Sequence, residues 1–417
     1  MIQYFRTASG RLTAAATVRF PMRRHFLTSS PVLALLLTGL SCGDGPTGAG
    51  GDLRARWSQA QDGNARAQPA VVGDVVYFGT GDGRVVARAR ETGAQRWSTV
   101  VAPGEAVRGR NLLERGGVLV VPVALATVGL DATTGEQLWR YASPRDTVGR
   151  GPNADPGSVI AARVEADDAA AYIPAWGASV SAVDLRTGAV RWVWEPGVSA
   201  GDTAAGGRFR SGAQGVRVSG DTVFATVWHF LDAQGLKSEA WLVALHRAAG
   251  VELWRVVLPS YTGGVLVNGA PALYARLAIF TTVGGRTWAI DRFTRQLVWQ
   301  FVPPARYSTQ TQAELGGDAV FIDGGDDFLY ALDATSGAVR WKSNAGNGAT
   351  RDLLVTDRRV YYPTNGSLRV FDRATGRAIA GMEVKPVGDA VETAATTDGR
   401  GRIFVTVTKA AQSYDEP

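Results

Sequence analysis

In LDATSGAVRW, residues 332–341, a carboxylate (Asp333) lies three residues before a hydroxyl (Ser336), with Gly337 and Trp341 following. An acid this close to a hydroxyl could move a proton or activate a nucleophile. Just upstream, Asp326 and Asp327 in GGDDF offer carboxylate oxygens of the kind calcium takes. The remaining groups suited to acid–base or metal chemistry are His25, His229, His246 and one cysteine, Cys42. No pair of these histidines has zinc-ligand spacing, and no second cysteine could join them. Calcium needs several more oxygens than GGDDF supplies, so those aspartates read as a solvated inter-strand turn like Gly81-Asp82-Gly83. Glycine-rich strings such as GTGDGR precede no helix, which excludes a phosphate loop, and there is no GxSxG element. Catalytic, cofactor-binding and metal residues are therefore all expected to be none.

The pattern in LDATSGAVRW recurs, and recurrence favours a structural role. Asp131, Thr134, Gly135 and Trp139 repeat it, as do Asp184, Thr187, Gly188 and Trp192. Asp291, Thr294 and Trp299 repeat it with Arg295 in place of the glycine. Weaker copies place Gly93 before Trp97 and Gly250 before Trp254, where His246 replaces the aspartate, and the copy at Gly376 has Ala380 in place of its tryptophan. Residues shared by every unit of a repeat usually serve stacking between units.

Each unit must be a small sheet. From Pro69 to Trp97 four short runs rich in β-formers are separated by Gly-Asp, Gly-Asp-Gly and Thr-Gly turns, which predicts four antiparallel strands. Such a sheet cannot bury both faces alone, and radial stacking of copies gives a β-propeller. The fold class is all-β. Trp57 stands in a fourth strand with no first three before it, while the chain ends with about three strands and no fourth. Residues 54–59 are expected to complete the last blade and close an eight-bladed ring across residues 54–417. In each hairpin the glycine accepts positive φ, the aspartate caps turn amides, and the tryptophan packs on the adjoining blade.

The formal charge is +6, but five arginines and no acids precede Cys42. The rest of the chain is nearly balanced, too little positive charge to displace counterions from nucleic acid. Residues 22–42 combine a basic start, an apolar run from Pro31 to Leu40, small residues and Cys42, the layout of a secretory signal too short to span a bilayer. Residues 1–41 are read as signal peptide, with Met22 an alternative start, and residues 42–53 as a flexible tether. Gly39-Leu40-Ser41-Cys42 resembles a bacterial lipobox, which implies lipidation of Cys42. Gly43 after the cysteine implies, by the same resemblance, the periplasmic side of the outer membrane.

The repeat resembles that of the pyrroloquinoline-quinone (PQQ) propeller superfamily, whose units end in AxDxxTGxxxW. In that superfamily the quinoprotein dehydrogenases hold PQQ and calcium on the propeller axis, many with a vicinal disulfide or a haem site that one cysteine cannot build. A second branch consists of lipid-anchored eight-bladed propellers of the outer-membrane barrel-assembly machinery, without cofactor. The resemblance to that branch implies a non-enzymatic scaffold with a protein partner. The alternatives are a PQQ-dependent oxidoreductase and a surface propeller binding glycans or small ligands.

Departures from the repeat point to where recognition occurs. Successive repeat tryptophans are 40 to 45 residues apart except for 53 before Trp192 and 62 before Trp254. The extra length lies at residues 143–157, 195–212 and 228–241, which are read as loops on one face around blades 3 and 4. They carry Arg145, Arg150, Arg208, Phe209, Arg210, Trp228, His229 and Phe230, an arginine and aromatic mixture typical of interface anchors.

Overall fold

The computed structural model describes residues 55–416 except 64, 66, 124–125, 144–161, 176–177, 198–210, 232–237, 259–265, 305–308, 310, 347, 350, 365 and 380–389. Among the described residues every regular element is a strand, and the strands form eight separate antiparallel sheets. Seven sheets have four strands, in sequential order in six of them and with the first described strand at the outer edge of the seventh. In blade 7 three strands are described (Leu354–Val355, Arg359–Pro363, Leu368–Asp372), and a Phe371–Ala378 bridge continues that sheet outward. The expected eight-bladed ring is thus observed.

The ring closes through both ends of the chain. Trp57–Ala60 pairs antiparallel with Ala410–Asp415, with Trp57 opposite Ser413 and Ala60 opposite Ala410. This makes residues 57–60 the outer strand of blade 8, whose inner three strands are Thr396–Thr397, Arg402–Val407 and Ala410–Asp415. Arg56 extends the ladder by donating its backbone N–H to Ser413 O at 2.7 Å.

The repeated hairpin follows the expected division of labour. Asp131 Oδ1 accepts the Thr133 and Thr134 amides, both at 2.8 Å, and the Thr134 hydroxyl at 3.1 Å. Asp184 and Asp333 make the same three bonds in their hairpins. His246 takes the aspartate's place by accepting the Ala249 amide on Nδ1 at 3.2 Å. Arg340 donates to Asp333 and, with the Ser336 amide and hydroxyl, pulls the Asp333 carboxyl down to about 2.

Tryptophan and glycine then join neighbouring blades. The Trp139 indole N–H donates to Leu185 O in the next blade at 2.8 Å, and Trp192 reaches Arg247 O at 2.8 Å. Trp57, Trp97, Trp299 and Trp341 make the equivalent bond to Arg90, Ala132, Ala334 and Arg373. Each ring lies flat on the next hairpin's glycine: a Cβ on Gly135 (φ 77°) would come within 2.6 Å of Trp97 ring carbons. Gly93, Gly188, Gly250, Gly337 and Gly376 are likewise left-handed and roofed by the preceding blade's tryptophan. Burying an indole at such a junction contributes up to about 4–6 kcal/mol on area alone. At the one junction with Arg295, that residue keeps the left-handed conformation (φ 64°) and its guanidinium carbon lies 6.0 Å from the Trp254 ring centre.

Two outcomes are expected. Gly337→Ala meets the Trp299 ring as well as a strained φ, whereas Gly73 (φ 59°) has open space around a new Cβ. Urea unfolding should show Gly337→Ala losing about 1–3 kcal/mol and clearly more than Gly73→Ala. A carboxyl depressed in the fold stabilises above its unfolded pKa near 4 and loses that contribution as pH falls toward its folded value. Stability should accordingly drop between about pH 4 and 2, and Asp333→Asn should make that decline shallower in a urea midpoint series.

Candidate interaction face and propeller axis

A four-stranded up-and-down blade sorts its connections onto two faces. The turns between first and second strands and the Thr-Gly hairpins share one, here the hairpin face. The second-to-third connections and the crossovers between blades share the other, the loop face. The third stretch of extra length, residues 228–241, joins the second and third strands of blade 4 on the loop face, while most of the other two lies outside the described residues. Arg145, Arg150, Arg208, Phe209 and Arg210 lie outside the described residues, as does Cys42.

The third stretch is not a loop over most of its length. The first three strands of blade 4, Ser211–Ser219, Thr222–Phe230 and Ser238–His246, each have nine residues, against five or six in the second strands of blades 1 to 3. Trp228, His229 and Phe230 pair with Ala240, Glu239 and Ser238, so the blade itself is lengthened. The physical reason is the period-two alternation of Trp228 and Phe230 on one side with His229 on the other.

Strand geometry sorts these side chains. Trp228 is buried with Phe280 and Trp288, its ring 4.8 Å from that of Phe230, so it is core and the expectation of an exposed anchor at this position is corrected. Phe230 is half-buried and leads to Leu231, which is 48% exposed. On the opposite side the His229 ring lies 5.3 Å from Trp241, and Arg255 stacks on Trp241 at 4.8 Å and faces Trp194 at 5.9 Å. Glu252 holds Arg255 at 2.6 Å and accepts the Trp194 indole N–H at 3.1 Å; Glu239 accepts that of Trp241 at 2.7 Å. Trp194, Trp241, Glu252 and Arg255 were missed in the sequence. The available signal was Trp194 two residues beyond the repeat tryptophan, which places both on one side of a strand.

The chain enters each inner strand on the same loop face. Here the ring's own side chains meet across the centre. Asp352, entering blade 7, receives Arg110 from blade 2 at 2.8 Å and faces Arg163 from blade 3 at 3.8 Å. It also accepts the Gln312 amide at 3.1 Å, and the Gln312 side chain donates to Glu314 at 2.6 Å. Burial raises the Glu314 carboxyl above its usual range, a shift that the nearby Arg163 opposes. Asp352 is 5% exposed and both arginines are largely buried.

These residues do not fit a quinone with calcium. A flat cofactor on the axis would have to displace the Arg110–Asp352–Arg163 bridge. Among the described residues no three His, Cys, Asp or Glu side chains are grouped to hold a metal ion. The GGDDF turn is internally satisfied: Asp326 is buried and accepts Tyr330 Oη at 2.6 Å, Asp327 takes a left-handed φ of 73°, and burial raises the Asp323 carboxyl. The expectation of a solvated turn is corrected for Asp326, because Tyr330 encloses it.

Eight antiparallel blades, seven of them four-stranded among the described residues, joined by this Asp–Gly–Trp hairpin define a β-propeller of the quinoprotein repeat type. The chain belongs to the family described as outer membrane protein assembly factor BamB, which matches residues 52–227, 177–326 and 289–379. The solved BamB of Moraxella catarrhalis is similar at 20% identity and TM-score 0.50, over 70% of this chain and 77% of that one. A europium-containing methanol dehydrogenase is similar at 15% identity and TM-score 0.65, over 85% and 84%. The computationally designed Ika8 protein is similar at 13% identity and TM-score 0.60, over 85% and 98%. At such identities the likeness is one of fold. No curated protein sequence matches the chain.

Removing one partner of a buried ion pair leaves the others uncompensated. Asp352→Ala should therefore destabilise the ring by about 3–5 kcal/mol in denaturant titration, and Asp352→Asn, which keeps an acceptor for the arginines, by less.

Proposed function

We propose that this protein is a non-enzymatic scaffold with a BamB-like role in outer-membrane β-barrel assembly. In this reading residues 1–41 are removed, Cys42 carries the lipid, and residues 42–53 tether the propeller on the periplasmic side of the outer membrane. A protein partner binds the loop face of blades 3 and 4. The observation that carries the reading is the axis: where dehydrogenases of this repeat type hold their cofactor, Arg110 and Arg163 converge on Asp352. The lengthened blade 4 supports the partner site, since it raises Phe230 and exposed Leu231 on the loop face. A rigid strand presenting an aromatic and an aliphatic side chain is a suitable anchor for a protein surface.

Affinity capture of the membrane-anchored chain followed by mass spectrometry should recover an outer-membrane barrel complex. Phe230→Ala with Leu231→Ala should lower that recovery about tenfold, as loss of an interface anchor does, while the thermal midpoint stays near that of the parent. Unchanged recovery with an intact fold would sink the loop-face site. Dye-linked oxidation of alcohols or sugars after addition of PQQ and calcium would overturn the scaffold reading.

A further inference from the structure

One hairpin on the opposite face departs from its sisters in two places. In blade 5 it reads Asp291-Arg292-Phe293-Thr294-Arg295; other copies carry Thr133, Arg186, Thr335 or Ala374 where Phe293 stands, and glycine where Arg295 stands. Phe293 is 72% exposed, the most exposed large apolar side chain among the described residues. Guanidinium carbons of Arg276 and Arg292 lie 5.8 and 5.9 Å from its ring centre. The left-handed Arg295 turns back over Trp254 of blade 4. Beside this tip, Leu297 and Val298 are each 49% exposed, and Val251 and Leu253, next to Trp254, are 60% and 48% exposed.

The patch therefore has an aromatic tip, an aliphatic fringe and three arginines. Arg276 is paired with Asp291, which leaves an excess of positive charge. Guanidinium groups bind phosphate oxygens well, and an amphipathic ring between them suits the headgroup level of a bilayer. Arginines at such a surface are drawn to anionic lipid. A second, independent observation concerns the direction of the chain. The closing strand starts on this same face: Arg56 pairs with Asp415 at 2.7 Å and Glu416 N–H donates to Gly401 O, in the first-to-second turn of blade 8, at 2.7 Å. The described chain thus begins, at residue 55, on the hairpin face.

We propose that the blade 5 hairpin is a membrane-contact patch that docks on an anionic phospholipid surface. The propeller then lies with its hairpin face to the bilayer and the loop face of blades 3 and 4 turned outward to its partner. Only this orientation rests on the anchored-scaffold reading; lipid binding by the patch does not.

Cosedimentation tests it with a chain beginning at Gly48, the start of the compact unit that contains every blade. Phosphatidylglycerol-containing vesicles should pellet this chain, vesicles of phosphatidylcholine alone should not, and salt should weaken the binding. Phe293→Thr with Arg295→Gly restores residues that other hairpins carry, so the fold is retained, and vesicle affinity should fall on the order of tenfold. Phe230→Ala, on the other face, should leave it unchanged. Equal binding by the parent and the hairpin variant, or no dependence on anionic lipid, overturns the proposal. So does a hairpin variant that loses captured protein yet keeps vesicle binding, since the patch would then be a protein site. Failure of the loop-face capture with intact vesicle binding overturns the scaffold reading alone.

Discussion

The architecture depends on one contact made again and again: the flat face of an indole laid on a glycine in the next blade. Glycine is favoured because a Cβ there would press on the ring, and at the one position without it Arg295 keeps the left-handed turn with its guanidinium beside Trp254. The indole is needed because it combines a large apolar area with an N–H that satisfies a hairpin carbonyl. Breaks in the series obey the same logic. The copy that lacks tryptophan belongs to blade 7, and the blade after it has no third-to-fourth hairpin, because the chain termini meet there. Tyr77 donates its hydroxyl to Ala132 O, the carbonyl that Trp97 also uses, at 3.0 Å. Tyr361 occupies the same place in blade 7, and among the described residues its buried hydroxyl has no partner.

With the stacking contacts confined to the rim and the hairpin face, the axis and the loop face are released from the repeat. Their residues are correspondingly irregular. Arg163, Gln312 and Asp352 stand at equivalent places before their inner strands, yet they are three different residue types. A ring whose centre is bridged by its own ions is a stiff platform, suited to holding surfaces apart at fixed positions. Its two faces then differ in character, one with aromatic side chains raised on a long blade and one with arginines around a bare phenylalanine.

The fold was legible because it is periodic. Seven tryptophans at near-regular intervals, with Trp57 orphaned at one end, were enough to count blades and anticipate closure. The axis was illegible for the opposite reason: Arg110 and Asp352 are 242 positions apart, and the residue type at the axial position changes from blade to blade. Trp228-His229-Phe230 was misread as loop because three large rings beside an insertion resembled an exposed cluster, although their alternation already had the strand period. Arg255 gave no signal at all, since its role arises only when the outer strand of blade 4 meets Trp194 of blade 3. The hairpin of blade 5 was visible as a missing glycine, but its meaning depended on knowing which face the chain enters.

The ladder between Trp57–Ala60 and Ala410–Asp415 also sets a clock. Arg56 and Asp415 are 359 positions apart, so the first strand to emerge from synthesis is the last to find its place. Until the final strand arrives, blade 8 cannot form and the incomplete ring carries two open edges, each a template for mispairing. Contacts of such long sequence separation form slowly. Residues 57–60 are the strand that waits, so the ring is completed only when Ala410–Asp415 reaches them.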